Sequence, residues 1–262
     1  MYSIWKRAMH TEGSRNLKLD LKMDQLRSLR LTTERMHSEL SIETTLLLDE
    51  QHLKEYVDTI RQRIGAANEK VAASLFMKRY AFLPAIYLYA MTSWNERLNV
   101  SYENVSIETD NSKEIWLPNF HFHNLETEIS RSNREKWRTT CIESLFKEHV
   151  SPIIELLSHI TKVSKLILWE NVVVYISWLY EKVLLEDRNS KEIVSRAKED
   201  FHFIISHAPG NLFGDYGVNP ISRFYKEDID YDSRRRSTCC YSHLTTNKQY
   251  CSTCPHFCKR RA

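Results

Sequence analysis

The sequence predicts an α+β protein with a predominantly α-helical body, a small antiparallel β-sheet or hairpin, and a C-terminal cysteine-rich loop. Three observations support this class. Apolar residues recur at helical spacing along most of the chain, one short stretch changes to a period of two, and five of the six cysteines lie at or beyond position 239. A chain of 262 residues buries enough apolar surface to be stable without disulfides.

The charged N-terminal stretch predicts one short element. Leu17, Leu19, Leu21 and Met23 alternate with polar residues, which is typical of a half-buried strand. No other pattern assigns a role to residues 1–35. No signal-peptide core and no apolar run long enough to span a bilayer is present, so we expect a cytoplasmic protein without a transmembrane segment.

Helical patterns follow. Apolar residues from Leu53 to Ile64 recur every three or four positions, and Gly65 is placed to end this helix. The stretch 68–94 predicts a long, largely buried helix with a kink at Pro84.

A β-hairpin is predicted over 103–122, because two β-rich runs flank the polar stretch 109–113. His121 and His123 alternate along its second run and therefore face the same side. Two such histidines could bind a metal ion, but we expect them to form an exposed polar face.

The second half of the chain is predicted to be mainly helical. Ser151 and Pro152 have the residue types of a helix cap and a first helical position. An apolar helix over 164–185 is interrupted by Glu170 and Asn171, and an amphipathic helix covers 190–208. We expect residues 1–230 to form the body and residues 231–262 a cysteine segment that is too small to fold without its metal.

The cysteine spacing predicts a metal site. Cys239 and Cys240 are adjacent, ten residues separate them from Cys251, and two more residues separate Cys251 from Cys254. Four thiolates satisfy either a tetrahedral zinc ion or a [2Fe–2S] cluster. Adjacent cysteines suit a zinc knuckle poorly and also depart from the spacing of plant-type ferredoxins, so the spacing leaves both metals open.

This C-terminal motif resembles that of the FhuF-type ferric siderophore reductases. The resemblance rests on "STCCYSHLTTNKQYCSTCP" and the arginine-rich residues that precede it, and less specifically on the helical stretch 72–94. It covers about residues 40–254. It implies a [2Fe–2S] cluster bound by Cys239, Cys240, Cys251 and Cys254. These four residues would also carry the electron in a one-electron reduction of siderophore-bound ferric iron, which releases ferrous iron for assimilation.

The resemblance also implies partners. The expected substrate is a ferric siderophore of the hydroxamate or citrate–hydroxamate type. Because the chain has no G-x-G-x-x-G fingerprint and no phosphate-binding loop, we expect electrons from an external donor such as a ferredoxin or a reductase.

Basic residues are the candidates for substrate binding. Arg79 interrupts a buried helix, so it needs a partner: either a siderophore carboxylate or, as we favour, an internal salt bridge. Arg234, Arg235 and Arg236 could attract an anionic chelate and raise a cluster potential, or form a solvated basic tail. For Lys259, Arg260 and Arg261 the solvated tail is favoured.

Two cysteines lie outside the motif. We expect Cys258 to be a surface thiol or an alternative ligand, and Cys141 to be a buried structural thiol.

Two alternatives to the reductase follow from the same residues. One is a zinc-binding four-cysteine module that contacts nucleic acid or protein through its arginines; the net charge of only +3 argues against nucleic acid. The other is a redox sensor that loses or oxidises its cluster.

Overall fold

The computed structural model describes residues 20–131, 133–186, 189–225, 229 and 231–256, and it confirms an α+β fold with a helical body. Residues 20–28 are helical. The helices that follow are α1 (Glu50–Ile64), α2 (Glu69–Tyr80), α3 (Phe82–Trp94), α4 (Arg134–Leu145), α5 (Ser151–Thr161), α6 (Lys165–Trp178) and α7 (Lys191–His202).

The strands form two small sheets. They are β1 (Leu31–Thr32), β2 (Ile42–Glu43), β3 (Glu96–Leu98), β4 (Val105–Glu108), β5 (Asn119–Phe122) and β6 (Thr127–Ile129). The larger sheet has the order β1-β5-β4-β2, with β1 parallel to β5 and the other neighbours antiparallel. Strands β3 and β6 form an antiparallel pair.

The predicted hairpin is confirmed as β4–β5, with Val105 opposite Phe122, but its connection is longer than expected. Trp116 lies in this connection, is buried, and donates a hydrogen bond from Nε1 to Thr109 Oγ1 at 3.2 Å. The rings of His121 and His123 are 5.2 Å apart, and His123 Nε2 lies 2.9 Å from Glu43 Oε2. His123 is exposed and bonded to an acidic neighbour, as expected for a polar face.

Helix α1 ends as predicted. Asp49 caps its first turn by accepting a hydrogen bond from the backbone N–H of His52 at 2.9 Å. Gly65 follows its last residue with φ of 56°, a left-handed conformation that glycine adopts without steric cost.

The single kinked helix predicted for 68–94 is two helices that meet at Ala81. Pro84 has no N–H to donate to the carbonyl of Tyr80, so the helical bonding pattern stops one turn before the proline. The break is therefore three residues earlier than the predicted kink.

Two other local predictions were wrong. The described part of the stretch 17–23 is helical and not a strand: Leu26 and Leu29 continue an apolar face, whereas Leu21 is 61% exposed. Ser151 is not a cap either, because a π-helical turn (Phe146–Val150) joins α4 directly to α5.

Helix α2 lies at the centre of the body and packs against α1, α5 and α6, while α3 packs against α6 and α7. Cys141 is fully buried in α4, and burial raises the pKa of its thiol to about 12. The prediction of a buried Cys141 is thus confirmed. Within the described residues, no helix combines the length and the apolar character that crossing a bilayer requires.

A buried histidine predicts how stability depends on pH. His149 stacks between Tyr80 and Tyr102, and the Tyr80 hydroxyl lies 2.5 Å from its Nε2. Burial lowers the pKa of His149 from 6.5 to about 4. Between these values the unfolded chain binds a proton that the folded protein does not, so the free energy of unfolding falls as the pH falls through this window, by about 3 kcal/mol in full.

Urea unfolding at pH 7.5 and pH 4 measures this effect. His149→Gln should remove this part of the pH dependence, whereas His159→Gln, which changes an exposed histidine of α5, should retain it. Equal pH dependence in wild type and His149→Gln would contradict the prediction.

Candidate metal centre

Helices α2 and α6 hold the cysteine doublet in place. The Ser74 hydroxyl donates to the carbonyl oxygen of Cys240 at 3.0 Å. Asn171 Nδ2 in turn donates to the carbonyl oxygen of Ser74 at 2.8 Å and to its hydroxyl at 3.1 Å. Since all three residues are buried, these bonds fix the doublet against the body.

A buried carboxylate fixes the chain just before the doublet. Glu170 of α6 accepts hydrogen bonds from the backbone N–H groups of Ser237 at 2.5 Å and Thr238 at 2.8 Å, and from the Thr238 hydroxyl. Arg236 Nε lies 3.5 Å from the same carboxylate, and both side chains are almost fully buried. Glu170 is therefore satisfied only while this part of the chain stays docked.

The spacer between Cys240 and Cys251 is attached to the turn between α1 and α2. Ala67 N–H donates to the Leu244 carbonyl at 3.0 Å, and Thr246 N–H donates to the Ile64 carbonyl at 3.3 Å. A Cβ atom on Gly65 would lie 1.8 Å from Thr246 Oγ1, so only glycine permits this approach.

The fold brings two of the four predicted ligands into contact. Cys240 Sγ and Cys251 Sγ are 3.5 Å apart although 11 positions separate them in sequence. The backbone N–H of Cys254 donates to the Cys251 carbonyl at 3.0 Å, which closes the turn between these two residues. Besides burial, the charges of Cys240 and Cys254 raise the pKa of the Cys239 thiol.

Local electrostatics favour a thiolate at Cys240. The hydrogen bond from Cys251 lowers the pKa of Cys240, and the positive charges of Lys78 and Arg236 lower it further. Cys251 retains the proton in this pair, so its pKa is raised. Lys78 Nζ lies 3.9 Å from Cys240 Sγ.

Cys239 has a different environment. Burial raises the pKa of this thiol, while the backbone N–H of Tyr241 donates to its Sγ at 3.3 Å and opposes that effect. Backbone N–H groups directed at sulfur are among the features that stabilise thiolate ligands and tune iron–sulfur centres.

Two of the four thiols lie in contact. Two sulfurs on one tetrahedral metal with bonds of about 2.3 Å lie about 3.8 Å apart, close to the distance between Cys240 and Cys251. In the part of the chain that the structure describes, no group of three or more His, Cys, Asp and Glu side chains converges as a metal-binding group. The donor chemistry and this close pair fit a sulfur-ligated metal that takes at least Cys240 and Cys251 as ligands.

The three arginines that precede the doublet have different environments. Arg234 forms an ion pair with Glu181 at 2.6 Å and lies over the Tyr225 ring, whereas Arg235 is exposed. Arg236 is buried, and its Nη1 and Nη2 have no hydrogen-bond partner among the described residues. Of the three, Arg236 is the one whose positive charge acts to lower the pKa of the cysteine thiols.

Arg79 has no salt bridge within the described ranges, so the internal ion pair expected for it is wrong there. Its guanidinium lies 4.8 Å from the centre of the Trp116 ring, and its buried Nη1 lacks a hydrogen-bond partner. Burial lowers the pKa of Arg79 to about 10. The predictions for Cys258, Lys259, Arg260 and Arg261 fall outside the described residues.

Sequence reasoning missed the residues that support the site: Ser74, Lys78, Glu170 and Asn171. Glu170 and Asn171 did stand out as polar residues within an apolar helix. A buried carboxylate requires partners, and that requirement was the available signal. Nothing in the pattern marked Ser74, whose role depends on the packing of α2 against α6.

The fold is a helical α+β body against which the C-terminal cysteine segment docks, with the thiols of Cys240 and Cys251 in contact. Residues 74–202 match the protein family described as "Ferric iron reductase FhuF-like transporter". Over these residues the chain is similar to the FhuF-like ferric iron reductases, which confirms the predicted resemblance for the helical body and not for the C-terminal cysteine motif. The match runs from within α2 to the end of α7 and stops before the four cysteines of the C-terminal motif. No curated protein and no solved structure matched the chain.

Proposed function

We propose that this protein is a cytoplasmic ferric siderophore reductase that uses a [2Fe–2S] cluster held by Cys239, Cys240, Cys251 and Cys254. The close approach of Cys240 and Cys251 is the observation that carries the proposal. It occurs against Ser74 of α2 and Asn171 of α6, which both lie in the part of the chain that matches a ferric iron reductase family. We also propose residues 1–230 as the body and residues 231–262 as the cluster-binding segment.

The resemblance of the cysteine motif to that of ferric siderophore reductases, together with the family match of the helical body, favours two irons over one zinc ion. A single zinc ion with four thiolate ligands requires all four sulfurs at one point, whereas each iron of a [2Fe–2S] cluster takes two of them. The family match adds no support for a zinc-binding interaction module.

A [2Fe–2S] cluster, when bound, supplies a site that accepts and donates one electron at a time. The chain provides the ligands, and Glu170 and Ser74 hold the ligand segment in register. Lys78 and Arg236 contribute positive charge, which favours thiolates and would raise the reduction potential.

Ferrous iron, the product, leaves the siderophore because its affinity for oxygen ligands is lower than that of ferric iron. The chelated ferric iron gains one electron and becomes ferrous, which binds hard oxygen chelators less tightly and is released. The electron comes from outside, and we propose a ferredoxin or a reductase as the donor.

The test is a UV–visible spectrum of anaerobically purified protein, with iron, sulfide and zinc assayed on the same sample. We expect about two irons and two sulfides per chain and an absorption that dithionite bleaches. The reduced protein is then mixed with a ferric hydroxamate, and its absorption should return as ferrous iron appears. A colourless protein with one zinc per chain would overturn the proposal, as would a cluster that ferric chelates do not reoxidise.

A further inference from the structure

A cleft of about 230 Å³ opens between the C-terminal ends of α2 and α6 and the cysteine segment. Six of its lining residues matter here: Lys78, Phe82, Tyr175, Trp178, Tyr231 and Cys251. Among the four ligand candidates, Cys251 alone is half-buried and lines this cleft, whereas the other three are buried. A molecule in the cleft therefore reaches the centre through the sulfur of Cys251.

One wall of the cleft is aromatic. The ring centres of Phe82 and Tyr175 are 4.6 Å apart, and Trp178 lies 6.2 Å from Phe82 and 6.4 Å from Tyr175. The three rings pack against one another, and each is partly exposed. Such a wall favours flat aryl groups, which gain both apolar burial and ring-to-ring contact.

Positive charge lies beside the same wall. Within the described part of the chain, Lys78, Arg79 and Arg30 have no carboxylate within ion-pair distance, and the Nζ atom of Lys78 lies 3.9 Å from the Cys240 thiol. The guanidinium of Arg30 lies 5.7 Å from the centre of the Phe82 ring, and the charges of Arg30 and Arg79 both act on Tyr175. The buried Nη1 of Arg79 lacks a hydrogen-bond partner. Cations placed behind and beside aromatic rings favour an anionic occupant.

We propose that this cleft docks a ferric chelate that is anionic and has aryl donor groups, of the catecholate type. This inference rests on the proposed function for its purpose, but the binding itself does not require the redox step. A ferric tricatecholate has a net negative charge and flat aromatic arms, so it complements both features of the wall. A neutral ferric trihydroxamate with aliphatic arms complements neither.

Binding of gallium(III) chelates to the purified holoprotein tests this separately from reduction, because gallium(III) has the charge of ferric iron but is not reduced here. Calorimetric titration should give a Kd for the gallium tricatecholate at least about tenfold lower than for the neutral gallium trihydroxamate. Trp178→Leu and Lys78→Gln should each weaken tricatecholate binding about tenfold and affect the trihydroxamate less. High salt should weaken only the binding of the anionic chelate.

The chain offers a matched control pair that does not line the cleft. Lys22 Nζ lies 4.9 Å from the centre of the Trp94 ring, and both residues are half-buried. Lys22→Gln and Trp94→Leu should leave both affinities unchanged. Because Lys78 also contacts Cys240, the iron content of Lys78→Gln is measured, and Trp178→Leu serves as the variant without that contact.

Equal affinity for the two chelates, or unchanged tricatecholate binding in Trp178→Leu, would overturn the inference. Selective binding of gallium tricatecholate without reduction of its ferric counterpart would leave the inference standing and defeat the proposed function. Reduction of ferric chelates without this selectivity would leave the proposed function standing and defeat the inference.

Discussion

Cys240→Ser and Cys251→Ser are each expected to remove nearly all bound iron and sulfide and to abolish ferric chelate reduction. Each change removes one of the two sulfurs that lie 3.5 Å apart, and a serine hydroxyl is a much poorer ligand for a soft site. Far-UV circular dichroism should be nearly unchanged, because the helices of the body bury their own core.

Cys141→Ala is the control for loss of a buried thiol. Cys141 lies in α4 and belongs to the main apolar core, so its replacement should cost about 1 kcal/mol of stability and leave the iron content intact. Retention of iron and activity by Cys240→Ser would contradict the assignment of the ligands. A general loss of helix in that variant would show that the centre supports the whole fold.

Glu170→Gln is expected to release the cysteine segment from the body. The amide can still accept some of the bonds from Ser237 and Thr238, but it leaves the buried guanidinium of Arg236 without its counter-charge. Breaking a buried ion pair on one side costs about 3 kcal/mol or more. This free-energy cost weakens the docking of the cysteine segment on the body and not the packing of the body itself. Iron should therefore be lost faster, while the main thermal transition shifts little.

Hydrogen exchange of the amides in 236–254, together with the rate of iron release to a chelator, measures this effect. Glu143→Gln is the matched control, because Glu143 forms an exposed pair with Lys147 and should contribute little. If protection in 236–254 and iron release are the same in Glu170→Gln and wild type, Glu170 does not hold the segment.

The sequence predicted a helix correctly where its apolar residues keep a single helical spacing throughout. Helix α1 has an unbroken apolar face and a glycine stop, so its C-terminal end was predictable. The break at Ala81 was not placed correctly, because Pro84 acts on a carbonyl one turn earlier. The segment at 20–28 was mistaken because a short alternating run is ambiguous until Leu26 and Leu29 are included.

The candidate site was predictable in its ligands and not in its support. Cysteine spacing identifies residues that can meet, but it does not show which helices they meet against. Similarly, Arg234, Arg235 and Arg236 are equivalent as letters in a sequence. Only the packed structure separates a largely buried ion pair, an exposed side chain and a buried charge beside the thiols.

The attachment of the spacer to the α1–α2 turn bears on how the centre would be assembled. Because Leu244 and Thr246 are bonded to the body, the ten residues between Cys240 and Cys251 behave as two short arms and not as one flexible loop. Ordering a residue costs about 1–2 kcal/mol, and the bonds of Leu244 and Thr246 to the body offset part of that cost for the spacer. Lengthening either arm by one residue would alter the approach of Cys240 to Cys251 while the other arm stays bonded to the body.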